Sequence, residues 1–302
     1  MEKARFKWVL RERNRKIAAK TEVFTEQQAR RVRSFHSSFK EYSPTPLIEL
    51  TSLAQHLGIK NLFVKDESYR FELNAFKVLG GSFAIGSYIA NELGEDIDDL
   101  PYMRLVSDEV RSLLGSKTFI TTTDGNHGRG VAWTANRLKQ QAIVYMPQGS
   151  AAERLANIRA EGAQAEITDM NYDDTVRYTS ELAQKNGWII VQDTAWDGYT
   201  RIPLWIMQGY MTMALEAYEQ LPVKPTHIFL QAGVGSLAGS VQGFFADIYG
   251  SSCPLTFIVE PKGADCLYQT AAANDGSLHS VTGRLETIMA GLACGEPNSI
   301  AW

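Results

Sequence analysis

One lysine, Lys77, opens a stretch of apolar and small residues in Asn74-Ala75-Phe76-Lys77-Val78-Leu79-Gly80-Gly81. An amine in such surroundings is poorly hydrated, and desolvation lowers its pKa toward the nucleophilic free base that Schiff-base chemistry uses. Taken alone, the same pattern also describes an ordinary exposed lysine near a helix start. A second segment, Thr121-Thr122-Thr123-Asp124-Gly125-Asn126-His127-Gly128-Arg129-Gly130, joins the β-rich Thr118-Phe119-Ile120 to the helical pattern beginning at Val131. Strand–turn–helix junctions present side chains and free amides at the carboxyl end of a strand, where open α/β sheets bind ligands. Asp124 and Asn126 are therefore expected to face one site, an acid beside an amide that can hold a cofactor. A third segment, Gly233-Val234-Gly235-Ser236-Leu237-Ala238-Gly239, follows the apolar run His227–Gln231 and opens a helix. Such a loop aims successive N–H groups and a helix dipole at one anion, so a phosphate is the expected ligand. It has neither the Gly-Lys-Ser/Thr ending of a nucleoside-triphosphate site nor the G-x-G-x-x-G spacing of a dinucleotide loop. A tight strand–helix turn is its plain alternative.

The elements that must position these segments alternate between strand and helix beyond residue 45. Strands are expected at Asn61–Lys65, Thr118–Thr122, Ala142–Met146, Ala165–Asp169, Trp188–Gln192, His227–Gln231 and Thr256–Glu260, all short, rich in Val, Ile and Phe, and bounded by turn residues. Helices are expected at Lys77–Leu93, Gly128–Lys139, Ala151–Glu161, Asp173–Asn186, Pro203–Gln220 and Ser236–Ile248. This order predicts an α/β fold of parallel sheets with helices on both faces. Glu95–Ser116 is acidic and weakly patterned and reads as an insertion. The expected plan is a smaller α/β domain at residues 85–205, inserted into a larger one made of 1–84 and 206–302.

At 302 residues, 44% hydrophobic and 21% charged, the chain suits a soluble globular protein of one or two domains. No apolar run approaches the roughly 18 residues of a membrane span. Met1–Lys20 is charged throughout, unlike a secretory signal. Cys253, Cys266 and Cys294 have neither disulfide-framework nor zinc spacing, so a cytoplasmic protein without a metal site is expected. The first forty residues are basic although the whole chain carries a net charge of −4. Glutamates interrupt that arm and no nucleic-acid motif accompanies it, so it reads as a solvated helical arm or an oligomer contact. His127 reads as a packing or capping residue, and Cys294 as a small buried thiol in a glycine-rich turn. Tyr172-Asp173-Asp174 reads as a solvated helix start, since it lacks calcium-loop spacing.

Together the lysine, the Gly-Asn-His turn and the glycine loop resemble the fold-type-II pyridoxal-phosphate enzymes, the superfamily of tryptophan synthase β and threonine dehydratase. Thr45-Pro46-Leu47 and Val64-Lys65-Asp66-Glu67 resemble its opening segment. The resemblance narrows to the diaminopropionate ammonia-lyase family through Leu73–Lys77, Thr121–Val131, Asp169–Arg177, Val191–Trp196, Trp205–Tyr210 and Ile288–Pro297. It runs from about residue 40 to the end. Dehydratases usually carry Ser or Ala where this chain has Asp124.

The resemblance implies pyridoxal 5'-phosphate as cofactor, with Lys77 joined to it, Asn126 at its ring oxygen, and Gly233, Val234, Gly235, Ser236 and Leu237 at its phosphate. It implies Asp124 and Asp193 as proton-transfer groups for the two enantiomers of 2,3-diaminopropionate, which becomes pyruvate and two ammonia. A small amino acid as substrate, a homodimer, and neither nucleic-acid nor membrane partners follow from it. Relatives continue for roughly a hundred residues more, with a Ser or Thr facing the pyridine nitrogen, so a bare apolar face of the large domain is expected here. Two alternatives stand beside this reading: a non-catalytic protein that keeps the fold, and a lyase resembling the serine and threonine dehydratases.

Overall fold

Strand β3 (Thr118–Thr122) is buried from Phe119 onward on both of its faces. That burial suits its place inside a four-stranded parallel sheet of order β5-β4-β3-β6. It is flanked by β4 (Gln141–Met146) and β6 (Ile189–Ile190), with β5 (Gln164–Ile167) at the edge. The computed structural model describes residues 6–11 and 21–302. Of the basic arm, residues 1–5 and 12–20 lie outside the described residues, while Glu26–Ser37 is a packed helix and not a solvated one, since it buries Ala29, Val32, Phe35 and His36. Crossovers are made by α6 (Asn126–Arg137), α7 (Ala152–Ala160) and α8 (Tyr172–Asn186). Strand β6 is shorter than expected because the backbone leaves the ladder: Gln192 N donates to the Tyr199 hydroxyl at 2.8 Å.

A second parallel pair joins β7 (His227–Gln231) to β8 (Leu255–Val259), with α10 (Ser236–Tyr249) between them in sequence and α11 (Cys266–Ala273) after them. Helix α10 packs on this pair, but the other face has no covering element among the described residues. Phe229 is 64% exposed and stacks on Phe257 with ring centroids 4.7 Å apart. Helices on both faces therefore hold for the four-stranded sheet and not for this pair. The opening segment also departs from an all-parallel plan, since β1 (Leu47–Glu49) and β2 (Phe63–Lys65) pair antiparallel across α2 (Thr51–Leu57).

Residues 95–116 are not a loose insertion. A 3-10 turn at Ile97–Asp99, α4 (Tyr102–Leu105) and α5 (Asp108–Leu114) bury Ile97, Leu100, Leu105, Val110 and Leu114. Much of the acidity is helix-start chemistry: Asp108 and Glu109 occupy the first turn of α5, whose N-cap Ser107 accepts from Val110 N.

The centre of the molecule is α3 (Lys77–Leu93), held between α6 and α9 (Arg201–Gln220), with α1 (Glu26–Ser37) alongside. Its close fit depends on missing side chains. A Cβ at Gly130 of α6 would stand 2.8 Å from Val78 Cα, and one at Gly209 of α9 would stand 2.3 Å from Leu79 O. Both neighbours are backbone and cannot rotate away. Gly209→Ala is therefore expected to destabilise the protein by about 1–3 kcal/mol through overpacking. Thermal unfolding checks this: an unchanged midpoint would mean that α9 can retreat from α3 at no cost. Among the described residues no helix is long and apolar enough to cross a membrane, and no group of three or more His, Cys, Asp or Glu could hold a metal ion.

Candidate active site

Lys77 is the first residue of α3, reached through a segment in which Phe71, Glu72 and Asn74 all adopt positive φ (48°, 61° and 59°). Such backbone is costly for non-glycine residues and persists only where surroundings over-determine it. The restraint here is Arg70, fully buried, whose guanidinium donates to Glu67 and Glu216, while Arg129 Nη1 donates to Leu73 O at 3.2 Å. The helix start is thus fixed before the lysine is placed.

The Lys77 side chain keeps 22% of its surface exposed, and its Nζ donates to Asp193 Oδ2 at 2.5 Å. Tyr210 lies nearby, its hydroxyl oxygen buried with no hydrogen-bond partner among the described residues. Burial pulls the ammonium of Lys77 toward the neutral form, as expected from the sequence, but Asp193 more than offsets it and the net shift is upward. Desolvation alone, the sequence-based expectation for this amine, is overruled by the counter-ion. Asp193 shows the complementary balance: burial opposes its charge, yet Lys77 holds it down at about 2.

Asp193 follows β6 and is oriented through its neighbour. The Gln192 side chain is buried and its orientation is fixed, with Oε1 accepting from Thr122 N (3.0 Å) and Thr121 Oγ1 (3.1 Å). Its Nε2 then donates to the Tyr172 hydroxyl at 2.8 Å and to Asp193 Oδ1 at 3.4 Å. Tyr172-Asp173-Asp174 is accordingly only part solvated. Asp174 is exposed beside the N-cap Asn171, while Tyr172 turns inward and Asp173 is lifted to about 6, chiefly by burial and then by Glu296.

Asp124 and Asn126 sit on the turn between β3 and α6. Thr123 Oγ1 accepts from the amides of Gly125 (2.9 Å) and Gly128 (3.0 Å), which starts the helix at Asn126, two residues earlier than the glycines suggest. Burial raises the pKa of Asp124, opposed by Lys77 and Arg154, so all three charges share one field. The Asn126 side chain is exposed and hydrogen-bonded to no described residue. His127 is buried with Nε2 donating to Val191 O at 2.7 Å, and burial lowers its pKa, which matches a packing role.

The loop at 233–237 is tied to the same place. Gly235 has φ +100°, which favours glycine, and precedes the first turn of α10, which no side chain caps. Val234 O accepts from Asn298 N at 2.7 Å. The Ser236 hydroxyl does not face outward: it donates to Asp193 O at 2.5 Å and accepts from Asn298 Nδ2 at 2.7 Å. Leu237 is buried and offers only its backbone. A Cβ on Gly233 would meet Cys294 Sγ at 3.2 Å, which places that half-buried thiol at the loop, and burial raises its pKa.

Lys77, Asp193, Asp124 and the glycine loop thus converge, although they lie on four different segments. Gln192, Tyr172, Arg154 and Asn298 were not expected from the sequence; of these only Gln192 carried a signal, its place beside Asp193. The arrangement suits a phosphate-bearing aldehyde. A reachable amine would take the carbonyl carbon, uncapped first-turn amides would face the phosphate, and the unsatisfied Tyr210 oxygen lies beside that amine.

Comparison with known proteins agrees with this chemistry. Residues 39–302 match the family profile described as pyridoxal-phosphate dependent enzyme. The chain is 54% identical over 275 residues to a diaminopropionate ammonia-lyase of Salmonella typhimurium, covering 90% of this chain and 68% of that one. It is 51% identical over 284 residues to the diaminopropionate ammonia-lyase of Escherichia coli K12, covering 93% and 70%. The crystal structure of the selenomethionine-incorporated holo form of diaminopropionate ammonia lyase from Escherichia coli superposes with a TM-score of 0.87, at 51% identity and the same coverage.

Proposed function

Because the chain belongs to the diaminopropionate ammonia-lyase family of pyridoxal-phosphate-dependent enzymes, we propose that it converts D- and L-2,3-diaminopropionate and water into pyruvate and two ammonia. The observation that carries this is the pair of carboxylates, Asp124 and Asp193, set in one field with the part-exposed Lys77. Asp124 also favours the lyase over a serine or threonine dehydratase, which usually carries Ser or Ala there.

Lys77 would hold the cofactor through its amine, Asn126 would meet the ring oxygen, and the backbone of residues 233–237 would receive the phosphate. Pyridoxal phosphate bound there supplies an electron sink that acidifies the substrate Cα–H. Asp124 and Asp193 each move a proton at Cα, Asp124 for the D isomer and Asp193 for the L isomer. They follow adjacent strands, β3 and β6, so two carboxylates can enter the same space from different directions. Gln192 holds Asp193 by the oxygen that Lys77 does not use. The same reading makes residues 1–84 and 206–302 a large cofactor domain and 85–205 a small one, and the protein a cytoplasmic homodimer acting on a small amino acid, with no nucleic-acid or membrane partner. The four-stranded sheet lying wholly between residues 118 and 190 favours that division, and the bare Phe229–Phe257 face favours association.

Incubating the purified chain with pyridoxal phosphate and each isomer, while measuring pyruvate and ammonia, tests the reading. Two ammonia per pyruvate from both isomers is expected. One ammonia per pyruvate, from serine or threonine only, would favour the dehydratase. No product and no bound-cofactor absorbance would leave the non-catalytic alternative.

A further inference from the structure

The two aspartates have different counter-ions. Asp193 is paired with Lys77, the amine that must also carry the cofactor, so its cation is committed to the chemistry. Asp124 is paired with Arg154 of α7, which lies outside every motif that pointed to this site. A single nitrogen, Arg154 Nη1, donates to Asp124 Oδ2 at 3.1 Å and to the Asp124 main-chain oxygen at 3.0 Å. The stem of the same side chain covers the turn: a Cβ on Gly125 would stand 3.0 Å from Arg154 Cδ. Backbone and carboxylate of Asp124 are therefore held together by one guanidinium.

We propose that Arg154 is a positioning residue that sets the balance between the two isomers by holding Asp124 ionised and aimed. The proposal rests on Asp124 serving the D isomer. Lys77, Arg154, Asp193, His127, Tyr172 and Cys294 are the titratable and charged groups whose fields reach Asp124. Lys77 and Arg154 favour its ionised form, whereas burial and Asp193 oppose it. Removing Arg154 removes one of two stabilising charges, so the carboxyl must take up its proton at a higher pH. A base works only when deprotonated, and the acid limb of the D-isomer profile must move upward with it.

The test uses Arg154→Gln and Arg154→Lys in the full chain with cofactor. Arg154 is 42% exposed, so neither change leaves a buried void. Measured at a pH below the acid limb of the D-isomer profile, the D/L ratio of kcat is expected to fall on the order of tenfold in Arg154→Gln, the equivalent of one pKa unit, with KM for the D isomer little changed. Arg154→Lys should recover part of the ratio, because one nitrogen makes both contacts. A second reading needs no turnover: in aspartate-labelled protein, the carboxyl carbon resonance missing in Asp124→Asn should titrate at higher pH in Arg154→Gln. A D/L ratio within twofold of the parent, or an Asp124 resonance that titrates where it did before, would overturn the proposal. Failure of the lyase reading shows separately, as absence of turnover in the unsubstituted protein.

Discussion

Lys77→Ala should reduce turnover of both isomers to background, a loss of at least about a thousandfold if the amine is the covalent catalyst. The bound-cofactor absorbance should vanish with it, and borohydride should no longer fix the cofactor to the chain. The substitution has a second effect that must be kept apart from the first. Asp193 is buried and paired with this lysine, and breaking a buried pair by removing one partner costs about 3–5 kcal/mol because a charge is left uncompensated. Lys77→Arg separates the two. It keeps a cation opposite Asp193 and so should keep the fold, but a guanidinium remains protonated and is no nucleophile. The expected result is a folded, inactive Lys77→Arg protein and an inactive, less stable Lys77→Ala protein. Turnover surviving in either would move the covalent role to another residue.

The second large effect is a crossing of preferences. Asp124→Asn should lower the D/L activity ratio and Asp193→Asn should raise it, each by about 10²–10⁴-fold, the range for loss of a general base. The ratio is the right quantity, because Asp193→Asn also strips Lys77 of its counter-ion and should depress both isomers somewhat. Asparagine preserves shape in each case and cannot take the Cα proton. Both ratios moving in one direction, or neither moving, would refute the division of labour between the two carboxylates. Measuring initial rates of pyruvate release for the separate isomers at one pH is sufficient.

Local pattern revealed the skeleton. The strands expected at Thr118–Thr122 and His227–Gln231 and the helix expected at Lys77–Leu93 have those bounds in the structure, since each is a strong apolar run ended by a turn residue. Strand β1 escaped notice because three residues between a proline and a helix leave no period to read. The segment 95–116 was misread because acidic residues in a helix's first turn look, in sequence, like those of a loop. Residues inside compact motifs, Lys77, Asp124 and the glycine loop, drew attention from sequence alone, whereas Asn126, from the same motif as Asp124, is exposed and hydrogen-bonded to no described residue. Arg154 drew none, because an arginine on a half-exposed helix has no local signature of the carboxylate it grips. Tyr172 was hidden by its neighbours, two acids that made its whole turn look wet. The Ser236 hydroxyl shows the remaining limit: its direction, toward Asp193 O, depends on a contact 43 residues away in sequence.

The glycine seam around α3 bears on how genetic data for this chain should be interpreted. In a saturation screen scored by growth or product formation, Gly130 and Gly209 should be as intolerant as Lys77, since a Cβ at either position pushes directly on the backbone that carries the lysine. Neither glycine can donate, accept or titrate through a side chain. A map of intolerance would therefore outline a larger active site than the molecule possesses. Dose separates the two kinds of position: raising expression or lowering temperature should rescue Gly209→Ala in part, because its defect is a shifted folding equilibrium, whereas no amount of Lys77→Arg protein should restore function.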